Sequence, residues 1–443
     1  MWESCVVWYY KRQLKLNRYA ILERERRMKN NSVYNKKWAI VKYAYENSYF
    51  YKKAIQGTER ISDIFAAKKW DELPVIRKEM FIENPSSLLS DDYVVADYQN
   101  ELVTLFTSGT TGTCLNVKWA GEDANRSLSA LWLRRFHECG IRAHDRYCYF
   151  FCARDGRWSH QRYDKTRPYA LGIYSGGLTL EKVREVYEEI RKFSPKWLLL
   201  QPSIAELIGR AKEKYGLPDL PELVYVELTG EMLLTGQKQR MEDLFHCQVR
   251  NQYGCNEAFS IAYECHRGKM HCDDTNVYIE VLDKEGNLLP DGETGDICVT
   301  SLNNYAMPFI RYLIGDRGKI YHDYKCDCGK TGTVVELTEG RSSEMLQLRN
   351  GEQLSAFIFA KAVNNINEIW QEAIYQYQVI QKGVGKFEIV FVADEEINRK
   401  EILEVFLDRL NEPLLNEAAF EFRFQDSIMT DEGTGKVRSF QRR

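Results

Sequence analysis

Between about residues 145 and 245 the chain alternates short apolar runs with amphipathic stretches of helical period. The stretches LEKVREVYEEIRKF, SIAELIGRAKEKYG and QKQRMEDLF place apolar residues three and four positions apart. The runs RYCYFFCA, WLLLQP and LVYVELTGE are short and apolar, as buried strands are. This alternation predicts an α/β fold around a largely parallel sheet.

The pattern changes again toward the C-terminus. Residues 274–335 alternate apolar and polar positions around the turns EGN and DGETG, which predicts antiparallel strands in a distorted barrel or sheet. After about residue 345 the order is helix, strand, strand, helix, strand. We therefore expect a large α/β domain over residues 1–340, with parallel sheets, a β-barrel-like subdomain and a helical lead over 1–95. A small α+β domain over residues 341–443 follows it.

Composition and charge exclude several classes of protein. A chain of 443 residues that is 44% hydrophobic has enough apolar surface for a large core, which argues against a disordered or collagen-like chain. The 61 basic and 64 acidic residues nearly balance, which argues against broad electrostatic binding to nucleic acid. No apolar run reaches about 18 residues and no signal-peptide pattern opens the chain. We therefore expect a cytoplasmic protein without a membrane span, in which most of the twelve cysteines are reduced.

A polar loop follows directly on the apolar run ELVTLF. It consists of Thr107, Ser108, Gly109, Thr110, Thr111, Gly112 and Thr113. The two glycines allow the backbone to approach a ligand closely, and the hydroxyl and N–H groups can donate to phosphate oxygens. No Gly-Lys-Ser/Thr sequence closes the loop, so it is not a Walker A loop. Its composition alone would also suit an ordinary turn.

Five further motifs follow this loop along the chain. They are Thr229–Glu231, Gln252–Glu257, Tyr312–Asp316, Gly340–Arg341 and Gly435–Lys436. Together with the loop they resemble the adenylate-forming superfamily, which includes acyl-CoA synthetases, non-ribosomal adenylation domains and luciferases. The segments NYAMPFIRY at 304–312 and LPVIRKEMF at 73–81, with Cys-x-Cys-Gly at 326–329, resemble its phenylacetate–CoA ligase and CapK-like branch.

The resemblance implies an acyl-CoA synthetase-like fold with a mobile C-terminal domain, and an AMP-forming ligase. Such an enzyme activates a small carboxylic acid with ATP to acyl-AMP and pyrophosphate, then transfers the acyl group to a thiol, here CoA. One alternative is a CapK-like enzyme of polysaccharide or secondary-metabolite synthesis, whose acceptor is an amine, a hydroxyl or a carrier protein. Another is a nucleotide-binding scaffold without catalysis, because Cys114, Asn116 and Ser343 depart from the family pattern. The oligomeric state is left open, a dimer included.

The resemblance also implies a role for each motif. Glu257 would bind Mg²⁺, a hard cation that prefers carboxylate oxygen. Lys436 would bridge the forming adenylate and the attacking carboxylate, and Arg311 would meet phosphate or carboxylate charge. Lys118 would compensate for a lysine that the phosphate loop lacks. The nucleotide-binding set is the loop 107–113 with Gly230, Glu231, Tyr253, Gly254, Asn256, Asp316 and Arg341.

A second constellation has the character of a metal site. Cys265 and His271 are followed about 55 residues later by Cys326 and Cys328. Three thiolates and one imidazole suit a tetrahedral structural Zn²⁺ ion, although Cys-x-Cys is a less specific spacing than Cys-x2-Cys. His266 and Cys272 are alternative ligands, and a group of buried thiols beside a surface histidine is the alternative without metal.

Overall fold

The computed structural model describes residues 33–54, 64, 69–106, 115–151, 163–339, 344–370, 373–432 and 435–442. The predictions for residues 1–32, for the loop 107–113, and for Arg341 with the domain junction lie outside these ranges. Within them, the helical lead contains α1 (Val33–Asn47) and α2 (Tyr49–Ala54). None of the helices in the described ranges has both the length and the apolar character that crossing a bilayer requires.

Helices α1 and α2 pack on the large domain through an aromatic-rich core. The Tyr51 hydroxyl donates to the Pro308 carbonyl at 3.1 Å and accepts from the N–H of Ile310 at 3.0 Å. The connecting segment that follows contains four short 3-10 turns and helix α3 (Val94–Tyr98). This layer holds residues 308–310 in place, and these residues lead directly into the strand that carries Tyr312 and Asp316.

Five parallel strands form the half of the main sheet that the sequence predicts. The strand order is β4-β5-β3-β6-β7-β8, in which β4 is an antiparallel edge strand. Helices α6, α7 and α8 cover one face with an aliphatic core, and α5 covers the other face. In chain order the elements are β1 (Val103–Phe106), β2 (Asn116–Trp119), α4 (Gly121–Ser127), α5 (Ser129–Cys139), β3 (Tyr147–Phe151), β4 (Tyr163–Arg167), β5 (Ala170–Tyr174), α6 (Leu180–Phe193), β6 (Trp197–Leu200), α7 (Pro202–Tyr215), β7 (Tyr225–Thr229), α8 (Gln237–Phe245) and β8 (Gln248–Cys255).

The predicted antiparallel region continues the same sheet, which has twelve strands in all within the described ranges. After β8 the order is β9-β10-β14-β13-β12-β11, and each neighbouring pair is antiparallel. Glu257 lies in the turn between β8 and β9, where the parallel half meets the antiparallel half. The elements are β9 (Phe259–Glu264), β10 (Met270–Cys272), β11 (Val277–Leu282), β12 (Gly295–Ser301), β13 (Tyr312–Lys325) and β14 (Thr331–Glu339).

The C-terminal region has the α+β architecture that the sequence predicts. Its sheet has the order β19-β18-β17-β20, and Phe359, Phe391 and Phe406 are fully buried beneath the helices. A short hairpin precedes this sheet. The elements are β15 (Met345–Gln347), β16 (Gln353–Ser355), α9 (Phe357–Trp370), β17 (Ile374–Gly383), β18 (Lys386–Ala393), α10 (Arg399–Asp408), α11 (Glu412–Glu417), β19 (Ala419–Phe424) and β20 (Phe440–Arg442).

The small domain is hydrogen-bonded to the large one near the ends of β5 and β6. The Thr430 hydroxyl donates to the Ser175 carbonyl at 2.5 Å and accepts from the N–H of Leu178 at 2.8 Å. The Gln376 side chain donates to the Ser203 carbonyl at 3.0 Å. These contacts bring the C-terminal segment over the carboxyl ends of the parallel strands, which is where ligands bind in open α/β sheets.

Candidate active site

A cavity of about 1690 Å³ opens between the two domains. It brings together residues from motifs as far apart as Gly230 and Lys436, which are separated by 206 positions. All the described members of the predicted nucleotide-binding set line it, and so do the predicted catalytic residues Glu257 and Lys436. The members of the set are Gly230, Glu231, Tyr253, Gly254, Asn256 and Asp316.

Lys436 of the small domain reaches into the large domain. Its ammonium donates to the Gly230 carbonyl at 2.6 Å. Gly230 has a φ of +80°, a conformation that favours glycine. A Cβ added there would also lie 3.1 Å from Nζ of Lys436, so the close approach of this lysine favours glycine as well. The neighbouring Glu231 accepts from the N–H and the hydroxyl of Ser203, both at 2.9 Å. Burial raises the pKa of Glu231, and the charge of Lys436 acts against that rise.

Glu257 is 8% exposed and lies beside Tyr312. The Tyr312 hydroxyl donates to Oε1 of Glu257 at 3.2 Å. Burial and the Glu257 charge raise the pKa of Tyr312 well above its ordinary value, so the phenol stays neutral and donates. The end of β8, just before the turn that carries Glu257, requires Gly254, because an added Cβ would lie 2.0 Å from the Phe259 carbonyl oxygen. The carboxylate is therefore held at one place on the cavity wall.

Tyr253 and Asp316 form a second polar pair across the cavity wall. The Tyr253 hydroxyl donates to Oδ2 of Asp316 at 2.8 Å. Asp316 follows Gly315, whose φ of +88° turns the strand β13 at this point. The pair joins the parallel and antiparallel halves of the sheet, so two members of the predicted nucleotide-binding set lie next to each other.

Asn256 connects this wall to the strand that leads into the polar loop. Its amide donates to the Phe106 carbonyl at 2.8 Å, and its own carbonyl accepts from Nε1 of Trp119 at 2.9 Å. Phe106 is the last described residue before the loop 107–113, and it lines the cavity. The strand that leads toward the loop therefore ends beside Asn256, and the loop itself lies outside the described residues.

Two of the predicted cations lie elsewhere. The Arg311 side chain is 2% exposed and pairs with Glu280 at 3.2 Å, while it donates to the Leu73 carbonyl at 2.7 Å. The catalytic role predicted for Arg311 therefore needs correction, since its guanidinium is bound inside the large domain and does not line the cavity. Lys118, considered as a substitute for the missing loop lysine, pairs with Asp97 at 2.7 Å.

Sequence reasoning missed the inner wall of the cavity. Leu131 and Arg135 of α5 line it together with Phe151, Leu199 and Glu227. Nε of Arg135 donates to Oε2 of Glu227 at 2.8 Å, and these residues are 5% and 0% exposed. Adjacent arginines in an amphipathic helix normally indicate a solvated face, so no local pattern distinguishes Arg135. Only the packing of α5 on the sheet reveals this buried ion pair.

The four predicted metal ligands come together on the antiparallel half of the sheet. The ligand atoms of Cys265, His271, Cys326 and Cys328 lie within 4.8 Å of one another. Sγ of Cys265 lies 3.9 Å from Sγ of Cys326, and Nε2 of His271 lies 3.3 Å from Sγ of Cys328. Sulfurs bound to one tetrahedral Zn²⁺ at about 2.3 Å would be roughly 3.8 Å apart, so this spacing fits such an ion.

Two turns of the same design supply three of these ligands. Cys265 donates its N–H to the Lys269 carbonyl and accepts at its own carbonyl from the N–H of Gly268, both at 2.9 Å. Cys326 makes the same two bonds with Lys330 and Gly329, also at 2.9 Å. Both glycines have positive φ. Burial and a nearby arginine charge lower the pKa of His271 to about 4, which keeps the imidazole neutral, as metal ligation requires.

Comparison with known proteins finds relatives of both parts of the chain. Residues 52–307 match the model of the AMP-binding enzyme family, and residues 349–442 match the CapK C-terminal domain. A phenylacetate-coenzyme A ligase of Thermus thermophilus is 26% identical over 332 residues, which cover 71% of this chain and 69% of that relative. Protein CapK of Staphylococcus aureus is 20% identical over 404 residues, with coverages of 89% and 85%.

The fold has a close counterpart among solved structures. A 2-hydroxyisobutyryl-CoA ligase in the postadenylation state superposes with a TM-score of 0.70 at 20% identity. The superposition covers 93% of this chain and 89% of that one. The match to the AMP-binding model spans more than half of the sequence and includes the polar loop and the motif around Glu257. The chain therefore belongs to the family of AMP-binding enzymes.

Proposed function

We propose that this enzyme activates a carboxylic acid with ATP and then transfers the acyl group to the thiol of CoA. The observation that carries the proposal is Lys436, which extends from the small domain to Gly230 in the cavity lined by Glu257 and Asp316. A cation delivered from a second domain suits a step in which negative charge accumulates at one atom. We expect the enzyme to act in the cytoplasm, where ATP and CoA are available.

The chemistry requires two displacements. In the first, a carboxylate oxygen attacks the α-phosphorus of ATP, and the bond to the leaving pyrophosphate breaks. In the second, the thiol sulfur attacks the acyl carbon, AMP leaves with the electron pair of the broken bond, and the thiol proton passes to solvent. The protein supplies position and charge for these steps.

The described residues divide this work in a consistent way. The segment at Gly230 and Glu231 with Tyr253 would hold the adenine, and Asp316 would accept hydrogen bonds from the ribose hydroxyls. The loop 107–113 would hold the β- and γ-phosphates, because the Asn256 amide fixes the strand that enters it. Lys436 would neutralise the charge on the α-phosphate and the attacking carboxylate.

Two metal ions complete the proposal. Glu257 is the expected ligand of Mg²⁺, which would neutralise phosphate charge when bound; its carboxylate on the cavity wall is a suitable hard donor. The cluster of Cys265, His271, Cys326 and Cys328 is the expected site of a structural Zn²⁺, since it offers three sulfurs and one neutral imidazole without an open position for substrate.

A panel of carboxylic acids tests the proposed reaction. Phenylacetate heads the panel, because three of the matched relatives are phenylacetate-coenzyme A ligases. Acid-dependent pyrophosphate release, with hydroxylamine added to trap the acyl-AMP, is the measurement. Release with one acid or a chemical class of acids supports the proposal. ATP binding without release across the whole panel would favour the non-catalytic scaffold instead.

The acceptor has a second candidate. Because residues 349–442 match the CapK C-terminal domain, the CapK-like alternative, in which the acceptor is an amine, a hydroxyl or a carrier protein, is the second candidate beside CoA. Once the acid is known, acyl transfer from the enzyme-bound adenylate can be timed with CoA, with amine acceptors and with a phosphopantetheine carrier protein. Rapid AMP release with CoA alone supports the first candidate, and faster release with another acceptor supports the second.

A further inference from the structure

Helix α5 lies between the cavity and the Cys/His cluster. On one side, Leu131 and Arg135 line the cavity. On the other side, Arg134 and Glu138, which are one helical turn apart, contact the segments that carry the predicted metal ligands. The helix therefore touches both sites through different side chains.

The contacts toward the cluster involve its ligands directly. Nη1 of Arg134 donates to the backbone carbonyl of His271 at 2.9 Å, and Nη2 donates to that of Cys272 at 3.2 Å. Glu138 forms an ion pair with Lys330, the residue whose carbonyl accepts from the N–H of Cys326. One helix thus contacts the strand of His271 and the turn of Cys326, two segments that approach each other at the ligand cluster.

The contacts of α5 toward the cavity form part of its wall. The Arg135 guanidinium lies 4.5 Å from the Trp132 ring and 4.8 Å from the Trp197 ring, and it pairs with Glu227. Beside this pair the wall is apolar, with Leu128, Leu131, Phe151 and Leu199. An apolar wall at the inner end of the strands suits the acid rather than the triphosphate.

We infer that Arg134 and Glu138 are positioning residues through which the metal cluster sets the affinity of the enzyme for its acid. A bound ion fixes the carbonyl of His271 and the turn of Cys326. Arg134 and Glu138 then hold α5, and α5 presents Leu131 and Arg135 to the acid. Residues around a metal site commonly orient its ligands in this manner, and here the orientation extends outward to a substrate wall. The inference rests on the proposed function for the claim that the substrate is an acid. The link between the cluster and α5 does not depend on that function.

The first experiment is structural. Hydrogen exchange is followed by mass spectrometry in the full-length protein with Zn²⁺ and after removal of the metal by a chelator. Peptides from residues 129–139 should exchange faster without metal, whereas peptides from α6 on the opposite face of the sheet should not change. Equal exchange of residues 129–139 in both forms would overturn the inference, whatever the enzyme's substrate.

The second experiment is kinetic and uses metal-loaded protein. Arg134→Met and Glu138→Gln remove the links while all four ligands stay, and Arg184→Met, an exposed arginine of α6, is the matched control. The KM of the acid should rise roughly tenfold, within the 5–150-fold range of coupled sites, while kcat and the KM of ATP keep their wild-type values. Arg134→Lys should restore part of the affinity for the acid.

The outcomes separate this inference from the proposed function. A parallel rise in both KM values, or a fall in kcat alone, would show that α5 supports the whole fold and would overturn the inference. If no acid of the panel causes the wild-type protein to release pyrophosphate, the proposed function fails. The exchange experiment still decides whether the cluster is linked to α5.

Discussion

The cavity and the Cys/His cluster both bring polar side chains together, and they are built in opposite ways. The cluster draws its four ligand atoms within 4.8 Å of one another from two tight turns and one strand. The residues that line the cavity come from the carboxyl ends of the parallel strands, from the start of β13 and from the small domain. The cluster is small and closed, and the cavity has a volume of about 1690 Å³.

The difference fits the role proposed for each site. A structural ion binds once, so local turns with fixed hydrogen bonds and buried ligands are sufficient. A site that admits ATP and acid and then releases products must open, so its charged groups have to come from separable parts. The experiments below test whether activity and metal binding are divided between the two sites in this way.

The largest effect is expected at Glu257. Glu257→Ala should abolish Mg²⁺-dependent pyrophosphate release, because the variant loses the carboxylate that would hold the ion against the phosphates. Its metal content at the Cys/His cluster should match wild type. Glu222→Ala, an exposed carboxylate outside the cavity, is the control. Wild-type turnover in Glu257→Ala would show that this assignment is wrong.

The next effect concerns Lys436 and divides the two half-reactions. Lys436→Ala should slow acyl-AMP formation by roughly 10²–10³-fold, as removal of one electrostatic donor does. Acyl transfer from a supplied acyl-AMP should change far less, because charge no longer gathers on the α-phosphate in the same way. Lys400→Ala, an exposed lysine of the same domain, is the control. Equal losses in both half-reactions would indicate a role in folding or in a shared step.

Cys326→Ser should affect the other site. The substitution removes one of four ligands, so we expect less than one Zn²⁺ per chain and a melting temperature lower by roughly 5–10 °C. Turnover at saturating acid should survive at a temperature where the variant is folded. Cys247→Ser, which lies outside the cluster, should keep the full metal content. Wild-type protein that contains no metal after expression with ample zinc would contradict the assignment.

The smallest effect is expected at Tyr253. Tyr253→Phe deletes the hydroxyl that donates to Asp316 at 2.8 Å and leaves the ring in place. Loss of one such bond costs about 0.5–1.5 kcal/mol, which corresponds to a two- to tenfold rise in the KM of ATP. The KM of the acid should not change. If only the KM of the acid rises, the pair of Tyr253 and Asp316 acts on acid binding and not on ATP binding, and this prediction is wrong.

The sequence predicts well those features that neighbouring residues determine. Helix α6 has a complete apolar stripe in its own 14 residues, and the turns at Cys265 and Cys326 need only a glycine at the right offset. Arg311 shows the limit of such reasoning. The motif around it gives its neighbours, but its partner Glu280 lies in β11, and only the pairing of β11 through β12 with β13 brings the two charges together.

Arg135 shows the same limit from the other side. Its local pattern favours solvent, yet the packing of α5 against Trp197 and Glu227 buries it in a cavity wall. The motifs predict the nucleotide contacts, because these short segments resemble those of an enzyme family. The acid contacts belong to no motif, so the sequence alone leaves them open.

The hydrogen bonds of Thr430 restrain the segment that carries Lys436. Thr430 fastens one end of the segment to the large domain at Ser175 and Leu178, and β20 fastens the other end in the small-domain sheet. A rotation of the small domain would pull on this segment. It would break the hydrogen bonds of Thr430 to the large domain and withdraw Lys436 from Gly230 in the same movement. The connectivity of the chain would then couple the withdrawal of Lys436 to the opening of the path for the acceptor, so that both occur in the same movement.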